Sequence, residues 1–329
     1  MSDAVQPPKT AARPWRDIWL TVGLVAIMVV GLAGLAAATG WEETWASIRR
    51  LTGTQIAALL VLAFANYVLR ALRWQMYCTV LGIPVGFVQT LRHYLGGFAL
   101  TATPGRVGEF VRLRWIRQET GTPIERSAAL AVVDRAADLA AIGLLTAVAV
   151  AFSTAGLAGG LPVAILSVIA AIVVTRASLL IAVLKLAWRI VGRWPRIFAR
   201  ARRAAEALRP FSAWPVVLPA LCLGGVGWLA EAYSFHLLLG WMGAELPMWT
   251  AIGIFLIAMV TGGATGAPGG LGGAEAAMVA LLSLQGVPLA VSIPATAVIR
   301  LTTLWFAIGI GLAIFPVATR AAMRGAHVA

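Results

Sequence analysis

Charged residues are scarce in this chain. Only 12% of its 329 residues are Asp, Glu, Lys or Arg, whereas 60% are hydrophobic. In soluble domains roughly a quarter of the residues are charged, so the composition excludes an ordinary soluble domain. Several apolar stretches approach the roughly 20 residues that a helix needs to cross a bilayer, and no run of alternating strands typical of a β-barrel occurs. The sequence therefore predicts an all-α, polytopic helical membrane protein.

Cysteine and histidine are also rare. Cys78 and Cys222 lie in or beside apolar segments, so we expect free thiols rather than a disulfide framework. His93, His236 and His327 are too scattered to predict a metal cluster. Neither the phosphate loop Gly-x-x-x-x-Gly-Lys nor the zinc motif His-Glu-x-x-His occurs. We therefore expect no enzyme activity, no catalytic residue, no metal and no cofactor.

Acidic residues are half as frequent as basic ones, 13 against 26, which gives a net charge of +13. In a membrane protein this excess marks cytoplasmic loops and suits anionic lipid headgroups, so it does not indicate nucleic-acid binding. Residues 185–209 contain eight basic residues and one acidic residue, Glu206. This stretch predicts an amphipathic cytoplasmic linker.

The hydrophobic stretches predict one transmembrane domain over residues 17–318, between cytoplasmic tails at 1–16 and 319–329. An outer loop is expected at residues 40–53. The charge distribution predicts that both termini are cytoplasmic. The predicted spans are 18–38, 54–74, 124–152, 161–184, 214–239 and 289–315.

One sequence element occurs twice, displaced by half the chain. Each copy has a Pro-Gly break, a glutamate, a Gly-x-Pro break and an arginine 12 residues after the second proline. The pattern predicts two structural repeats, at about 54–152 and 214–315. The first copy contains Pro104, Gly105, Arg106, Glu109, Gly121, Pro123 and Arg135, and the second contains Pro268, Gly269, Gly272, Glu275, Gly286, Pro288 and Arg300.

The Pro-Gly breaks predict two re-entrant hairpins, at 86–120 from the cytoplasm and at 248–285 from outside. The parity of the spans then makes the two repeats inverted. A helix that begins after such a break directs free N–H groups and a positive dipole end into the protein, which favours anions. Broken helices at inverted-repeat interfaces bind substrate in transporters. Glycines at these breaks also permit close helix packing, and both interpretations stay open.

Ionisable residues inside predicted spans are costly and usually face a cavity or each other. They form either a headgroup site or structural ion pairs, Arg135–Asp138 and Arg300–Glu275. Arg70 and Arg73 are expected to snorkel from the inner end of their span, and Asn66 to form an interhelix hydrogen bond. The candidates within the membrane are Glu109, Asp134, Arg135, Asp138, Glu231, Glu275 and Arg300.

These residues resemble a known family. Across residues 15–318 the chain is similar to the lysylphosphatidylglycerol synthase transmembrane region, the flippase-like domain of the bacterial multiple peptide resistance factor. The resemblance implies movement of a phospholipid, an aminoacylated phospholipid or a polyprenyl- or hopanoid-type lipid between the leaflets of a bacterial inner membrane. It does not imply lipid synthesis, because the aminoacyl-transferase domain of the fused members is missing. It rests on Arg70-Ala71-Leu72-Arg73-Trp74, Pro104-Gly105-Arg106-Val107-Gly108-Glu109 with Arg112, Asp134-Arg135-Ala136-Ala137-Asp138, and Pro268-Gly269-Gly270-Leu271-Gly272 with Glu275 and Arg300.

The expected partner is a membrane lipid with an anionic or phosphate-bearing headgroup, and homo-oligomers are compatible with the sequence. Arg135 and Arg300 are expected to meet the phosphate, with Glu109 and Glu275 pairing those arginines in the empty site. The alternative is a non-transporting scaffold of a lipid or glycan biosynthetic complex. The headgroup candidates are Arg106, Glu109, Arg112, Arg135, Asp138, Glu275 and Arg300, with Asn66, Arg70, Arg73, Asp134 and Glu231 as secondary candidates.

Overall fold

The fold is that of a computed structural model, which describes residues 41–101, 103, 107–153, 157–193 and 195–325, together with Ala26. Over these ranges the chain is helical and contains no strand. The helices are α1 Trp41–Arg50, α2 Gly53–Val80, α3 Phe87–Gly97, α4 Val107–Thr120, α5 Ile124–Phe152, α6 Leu157–Thr175, α7 Ala177–Val191, α8 Pro195–Glu206, α9 Trp214–Trp241, α10 Met248–Ala264, α11 Gly273–Leu284, α12 Leu289–Arg300 and α13 Phe306–Gly325.

Four described helical rods are long and apolar enough to cross a membrane: α2, α5, α9 and the continuous segment Leu289–Arg324. The bent pair α6–α7 supplies a fifth span if it is counted as one. These rods confirm the predicted class of helical membrane protein. The predicted first span, 18–38, lies outside the described residues apart from Ala26, and so does the tail at 1–16.

Helix α2 shows how the sequence sets a sharp helix start. The Thr52 hydroxyl accepts a hydrogen bond from the backbone N–H of Gln55, and the Gln55 side chain accepts one from the backbone N–H of Thr52. This capping box satisfies two backbone donors that a helix otherwise leaves free. The helix then continues for 28 residues, six residues beyond the predicted end at Trp74.

Two predictions about the loops and spans are wrong. The predicted outer loop at 40–53 contains helix α1, which packs against α12. The predicted span 161–184 ends at Thr175, where the chain bends by 107°. Arg176 has an extended backbone at the bend, donates to the Ser212 carbonyl at 2.9 Å and lies 4.1 Å from the ring centre of Trp214. These contacts hold the chain at the bend.

The basic stretch 185–209 is largely helical. It covers the end of α7 and the whole of α8, and the two helices pack through an edge-to-face contact of Trp188 with Phe198. Arg202 and Glu206 form an exposed ion pair at 2.9 Å. The cytoplasmic position of this basic stretch stays a prediction.

The C-terminal helix is longer than predicted. Helix α13 continues to Gly325, past the predicted start of the tail at 319.

Helices α3 and α4 form one hairpin, and α10 and α11 form a second. These helices have 11, 14, 17 and 12 residues, each shorter than the roughly 20 needed to span a bilayer. The arms of the first hairpin approach so closely that a Cβ on Gly108 would lie 2.3 Å from the carbonyl oxygen of Gly97. In the second, Gly269 and Gly270 have positive φ angles of 62° and 70°, which favour glycine.

Both Gly-x-Pro breaks are confirmed. Gly121 and Gly286 have positive φ angles of 71° and 80°. Pro123 and Pro288 then occupy extended N-cap positions, and α5 and α12 begin at the next residue. Proline suits a helix start because the first turn has no partner for its N–H.

The two halves pack reciprocally. Helix α2 packs against α9 at the centre, the first hairpin packs through α3 against α13, and the second packs through α10 against α5. Each hairpin thus contacts the last long helix of the other half. This arrangement encloses a space between the two hairpins. The inverted orientation of the repeats stays a prediction.

Candidate functional site

A cavity of about 220 Å³ lies between the two halves, large enough for several water molecules. Both hairpins and all four long helical rods contribute to its wall. Its polar and charged lining residues include Arg70, Glu109, Arg112, Arg135, Glu231, Arg300, Tyr67, Thr101 and Thr303, and its glycines are Gly97, Gly108, Gly263, Gly269 and Gly270.

A dense charge network lies behind the cavity wall. Arg73 contacts Asp134 and Asp138, each at 2.6 Å, and its side chain is fully buried. Arg70 contacts Asp138 at 2.6 Å. The Trp228 indole N–H also donates to Asp138, at 3.3 Å. Buried charges require this kind of pairing because an isolated ion in an apolar interior is very costly.

The snorkelling prediction for Arg70 and Arg73 is therefore wrong. Both arginines point into the protein because α5 brings Asp134 and Asp138, one helical turn apart, against the same face of α2. The sequence contained the signal in the four-residue spacing of the two aspartates. Assigning these arginines a partner on another helix required the fold.

Asn66 is fully buried at the contact of α2 with α9, yet neither amide atom has a well-formed hydrogen bond among the described residues. The predicted interhelix hydrogen bond therefore stays a prediction, and its candidate partner is the Glu231 carboxyl of α9. A Cβ on Gly227 would lie 2.3 Å from the Asn66 amide oxygen, so only glycine permits this approach. The amide lies close to the Glu231 carboxyl, one turn further along α9.

Both pairs that the duplicated element predicts are present. Arg135 Nε lies 2.8 Å from Glu109 Oε1, and Arg300 Nε donates to Glu275 Oε1 at 2.5 Å. Arg135 also lies 3.4 Å from Asp138. The pairs differ in openness: the Arg135 side chain is 34% exposed, whereas that of Arg300 is 4% exposed.

The second hairpin break contributes directly to the Arg300 site. Arg300 Nη2 donates to the Gly269 carbonyl at 2.7 Å, so the break and the arginine are in contact. A π-helical turn, Leu301–Trp305, follows Arg300, a feature often found at functional sites. The Tyr67 hydroxyl donates to the Thr303 carbonyl there, at 2.5 Å. Residues Pro104, Gly105 and Arg106 of the first break lie outside the described residues.

Arg112 differs from the other arginines of the cavity wall. It is 3% exposed, and among the described residues no carboxylate lies within ion-pairing distance of it. Its guanidinium lies 3.9 Å from the ring centre of Tyr94 and 5.5 Å from those of Trp74 and Phe98. Its Nε and Nη1 atoms have no hydrogen-bond partner there. Cation–π contacts stabilise the charge but leave its N–H donors free for an anion.

No sequence pattern pointed to the aromatic residues around these charges. Tyr94 donates to Asp134 at 3.2 Å and underlies Arg112, while Trp228 donates to Asp138. Aromatic residues are common in apolar helices, so neither residue stood out before the helices were packed. Their contacts link the charge network of the first half to the wall of the cavity.

A separate polar cluster lies at the far end of the first hairpin. Glu119 contacts Arg92 at 2.7 Å and His93 at 3.2 Å, and it accepts a hydrogen bond from Gln89. Burial favours the neutral carboxyl, but the His93 and Gln89 contacts and the Arg92 charge outweigh it and lower the pKa of Glu119. This cluster joins the start of α3 to the end of α4. It lies outside the cavity.

The fold and the site define a helical membrane protein with an arginine-rich cavity between two broken-helix hairpins. The chain matches the lysylphosphatidylglycerol synthase TM region over residues 18–311 and belongs to that family. Membership confirms the expected resemblance and supports a membrane lipid-related role. No curated protein matches the chain. In the described residues, no group of three His, Cys, Asp or Glu side chains is arranged to bind a metal.

Proposed function

We propose that this protein moves a phosphate-bearing lipid between the leaflets of a bacterial inner membrane, with both termini cytoplasmic, and that it does so without catalysis. The observation that carries the proposal is Arg112, a nearly buried guanidinium that lies in the wall of the cavity and has no carboxylate partner among the described residues. A guanidinium matches phosphate geometry with several N–H donors. Its free donors are therefore available to a headgroup.

The surrounding groups support the same assignment. Arg135 is one-third exposed and, like Arg112, lines the cavity. A phosphate entering the cavity competes with Glu109 for Arg135, because both anions bind guanidinium bidentately. Glycines on both hairpins keep the backbone close to the cavity, which permits close approach of a headgroup. Arg300 is more enclosed than Arg135, and its pairing with Glu275 closes the opposite wall.

The alternative function is a scaffold that binds partner proteins without moving lipid. The fully buried Arg73 network resembles a structural core and fits a static protein equally well. The cavity, by contrast, favours a protein with a small-molecule or lipid ligand, because its wall contains a buried arginine, Arg112, without a carboxylate partner among the described residues. The decisive measurement is lipid movement itself.

The experiment reconstitutes the purified protein in liposomes that contain fluorescent phosphatidylglycerol and measures access of a membrane-impermeant quencher to inner-leaflet label. We expect wild-type protein to accelerate access over protein-free liposomes. Arg112→Gln should reduce the rate at least tenfold, because a lost charge-assisted hydrogen bond is worth about 1.5–3 kcal/mol. Arg202→Ala, on the exposed helix α8, is the control. Equal rates with and without wild-type protein would contradict the proposal.

A further inference from the structure

Two ionisable groups in the wall of the cavity have no partner of opposite charge within ion-pairing distance among the described residues: Arg112 and Glu231. Each of the other described charged residues of the site has a partner of opposite charge. The pairs are Arg70 with Asp138, Arg73 with Asp134 and Asp138, Arg135 with Glu109, and Arg300 with Glu275.

Glu231 lies in the middle of α9, where that helix crosses α2. It is 6% exposed, yet it lies in the cavity wall. The fully buried amide of Asn66 lies close to it from α2, and it has no well-formed hydrogen bond to any described residue. The other groups whose charge acts on Glu231 are Arg70 of α2, Asp138 of α5 and Arg300 at the end of α12. Tyr67 of α2 also faces this region.

Among the described residues, the charges of the site balance. Five arginines carry five positive charges and, when ionised, five carboxylates carry five negative charges. A lipid phosphodiester that binds at Arg112 adds one negative charge to a nearly enclosed space. An uncompensated charge in such a space is costly, and a titratable group there responds by changing protonation. Among the described carboxyls of the site, Glu231 is the one that can do so without weakening an ion pair.

We propose that Glu231 binds a proton when the cavity binds an anionic lipid, so that proton and lipid occupy the site together. The inference rests on the proposed function, because it requires a lipid anion in the cavity. No covalent bond changes: the proton comes from water and binds one carboxylate oxygen. By reciprocity, protonation of Glu231 strengthens lipid binding by the same factor as lipid binding strengthens protonation.

The charge that must be compensated favours a proton over a larger cation at Glu231. A lipid with its own ammonium group adds no net charge to the cavity, whereas an anionic lipid adds one negative charge, and a proton can reach Glu231 through a chain of water molecules from the cavity. A metal ion would need several oxygen ligands, and among the described residues no group of three suitable side chains surrounds Glu231. The Asn66 amide can donate to the ionised carboxylate and accept from the protonated one, so it suits both states.

The test counts protons. Binding of short-chain phosphatidylglycerol to purified protein is measured by calorimetry in two buffers of different ionisation enthalpy, because the difference gives the protons taken up per lipid. The lipid phosphodiester stays ionised through the neutral range. We expect uptake of up to one proton in wild-type protein, with affinity rising by up to about tenfold per unit fall in pH where Glu231 titrates.

Glu231→Gln should bind the lipid more tightly at neutral pH than wild type, without proton uptake and without pH dependence. Infrared difference spectra should show a protonated-carboxyl band on lipid binding in wild type that the variant lacks. Glu206→Gln, which removes an exposed carboxylate of α8, is the matched control and should keep the proton uptake.

The outcomes separate the two proposals. Absence of phosphatidylglycerol binding at every pH would overturn the proposed function. Binding without proton uptake in wild type would overturn the present inference alone, even if Glu231→Gln does not fold. Unchanged proton uptake in Glu231→Gln would also overturn it. If the variant loses binding of phosphatidylethanolamine but keeps that of phosphatidylglycerol unaltered, Glu231 contacts an ammonium group instead.

Discussion

Arg70 and Glu231 occupy the same register of the two long helices that cross at the centre of the protein. Arg70 lies 17 residues after Gly53, the first residue of α2, and Glu231 lies 17 residues after Trp214, the first residue of α9. Arg70 has a carboxylate partner in Asp138, three residues after Arg135. In the second half, the residue three after Arg300 is Thr303, which is uncharged.

The difference in charge pairing gives the two halves different roles in the site. The first half has two arginines and two aspartates in a closed network, and such a network resists change because breaking one buried pair leaves a charge without compensation. The second half keeps one pair, Arg300–Glu275, and a carboxyl without an arginine. On our proposal, the Arg70–Arg73–Asp134–Asp138 network of the first half is the static part of the site, and the second half supplies Glu231, the group that titrates. The repeats share their architecture but not their electrostatics.

The largest effect is expected for Arg73→Ala. If this variant were as stable as wild type, the first half would not depend on a closed charge network, and the contrast between the halves would be lost. The variant leaves Asp134 and Asp138 buried with one fewer cation, and removal of one partner of a buried pair costs about 3–5 kcal/mol. We expect loss of the cooperative thermal transition in detergent, or a sharply lowered Tm. Arg202→Ala removes a surface pair and should change stability by less than about 1 kcal/mol. Similar Tm values for both variants would contradict the structural role.

A second effect concerns the paired glutamates of the two hairpins. If Glu109 and Glu275 hold their arginines only while their own side is closed, Glu109→Gln and Glu275→Gln should shift the protein toward opposite states. Loss of a charge-assisted hydrogen bond of about 1.5–3 kcal/mol changes populations roughly ten- to a hundredfold. Labelling of cavity cysteines from each side of oriented vesicles measures the shift, with Cys78 and Cys222 replaced.

The greater openness of the Arg135–Glu109 pair gives this test a direction. Because that pair is already partly exposed, Glu275→Gln should produce the larger change from the described state. Glu206→Gln is the control for loss of a carboxylate. Shifts of the same sign in both variants would exclude a symmetric gate, while leaving lipid movement itself untouched.

The sequence predicted the architecture well because its strongest signals are local. Long apolar stretches, the Gly-x-Pro breaks and the positions of Arg135 and Arg300 each follow from one segment. The bend at Arg176 was missed because its cause is a contact with residues 36 and 38 positions later, Ser212 and Trp214. Apolar composition alone cannot distinguish a continuous span from a bent one.

The site was predicted in part. The two Arg–Glu pairs follow from the duplicated element, but the partners of Arg70 and Arg73 depend on packing of α2 against α5. Arg112 was one basic residue among several in α4, and the sequence could not show that aromatic rings rather than a carboxylate surround it. Glu231 likewise became distinctive once the other carboxylates had partners. Unpaired charge is a property of the assembled fold, which no single segment carries.

The smallest effect concerns the ends of the two hairpins farthest from their breaks. As in the comparison of the two halves, the first hairpin has a paired charge cluster there and the second does not. The first hairpin ends in the Glu119 cluster, whereas Leu284, at the end of α11, is 79% exposed. The pKa of Glu119 is lowered below its ordinary value of 4.5 by the contacts that outweigh its burial. Its stabilising contribution is therefore fully present above about pH 4.5 and is lost as the pH falls through the lower folded-state pKa.

Glu119→Gln should consequently lower Tm slightly at neutral pH, and the difference from wild type should shrink below pH 4.5. Because Arg92, the ionic partner of Glu119, is partly exposed to solvent, the effect should stay within about 1 kcal/mol. Thermal unfolding in detergent across a pH series measures it, with Glu206→Gln as the matched loss of an exposed carboxylate. If the difference in Tm between Glu119→Gln and wild type instead grows as the pH falls, the ionised carboxylate does not stabilise the hairpin. The Glu119 cluster then does not make the first hairpin more stable than the second.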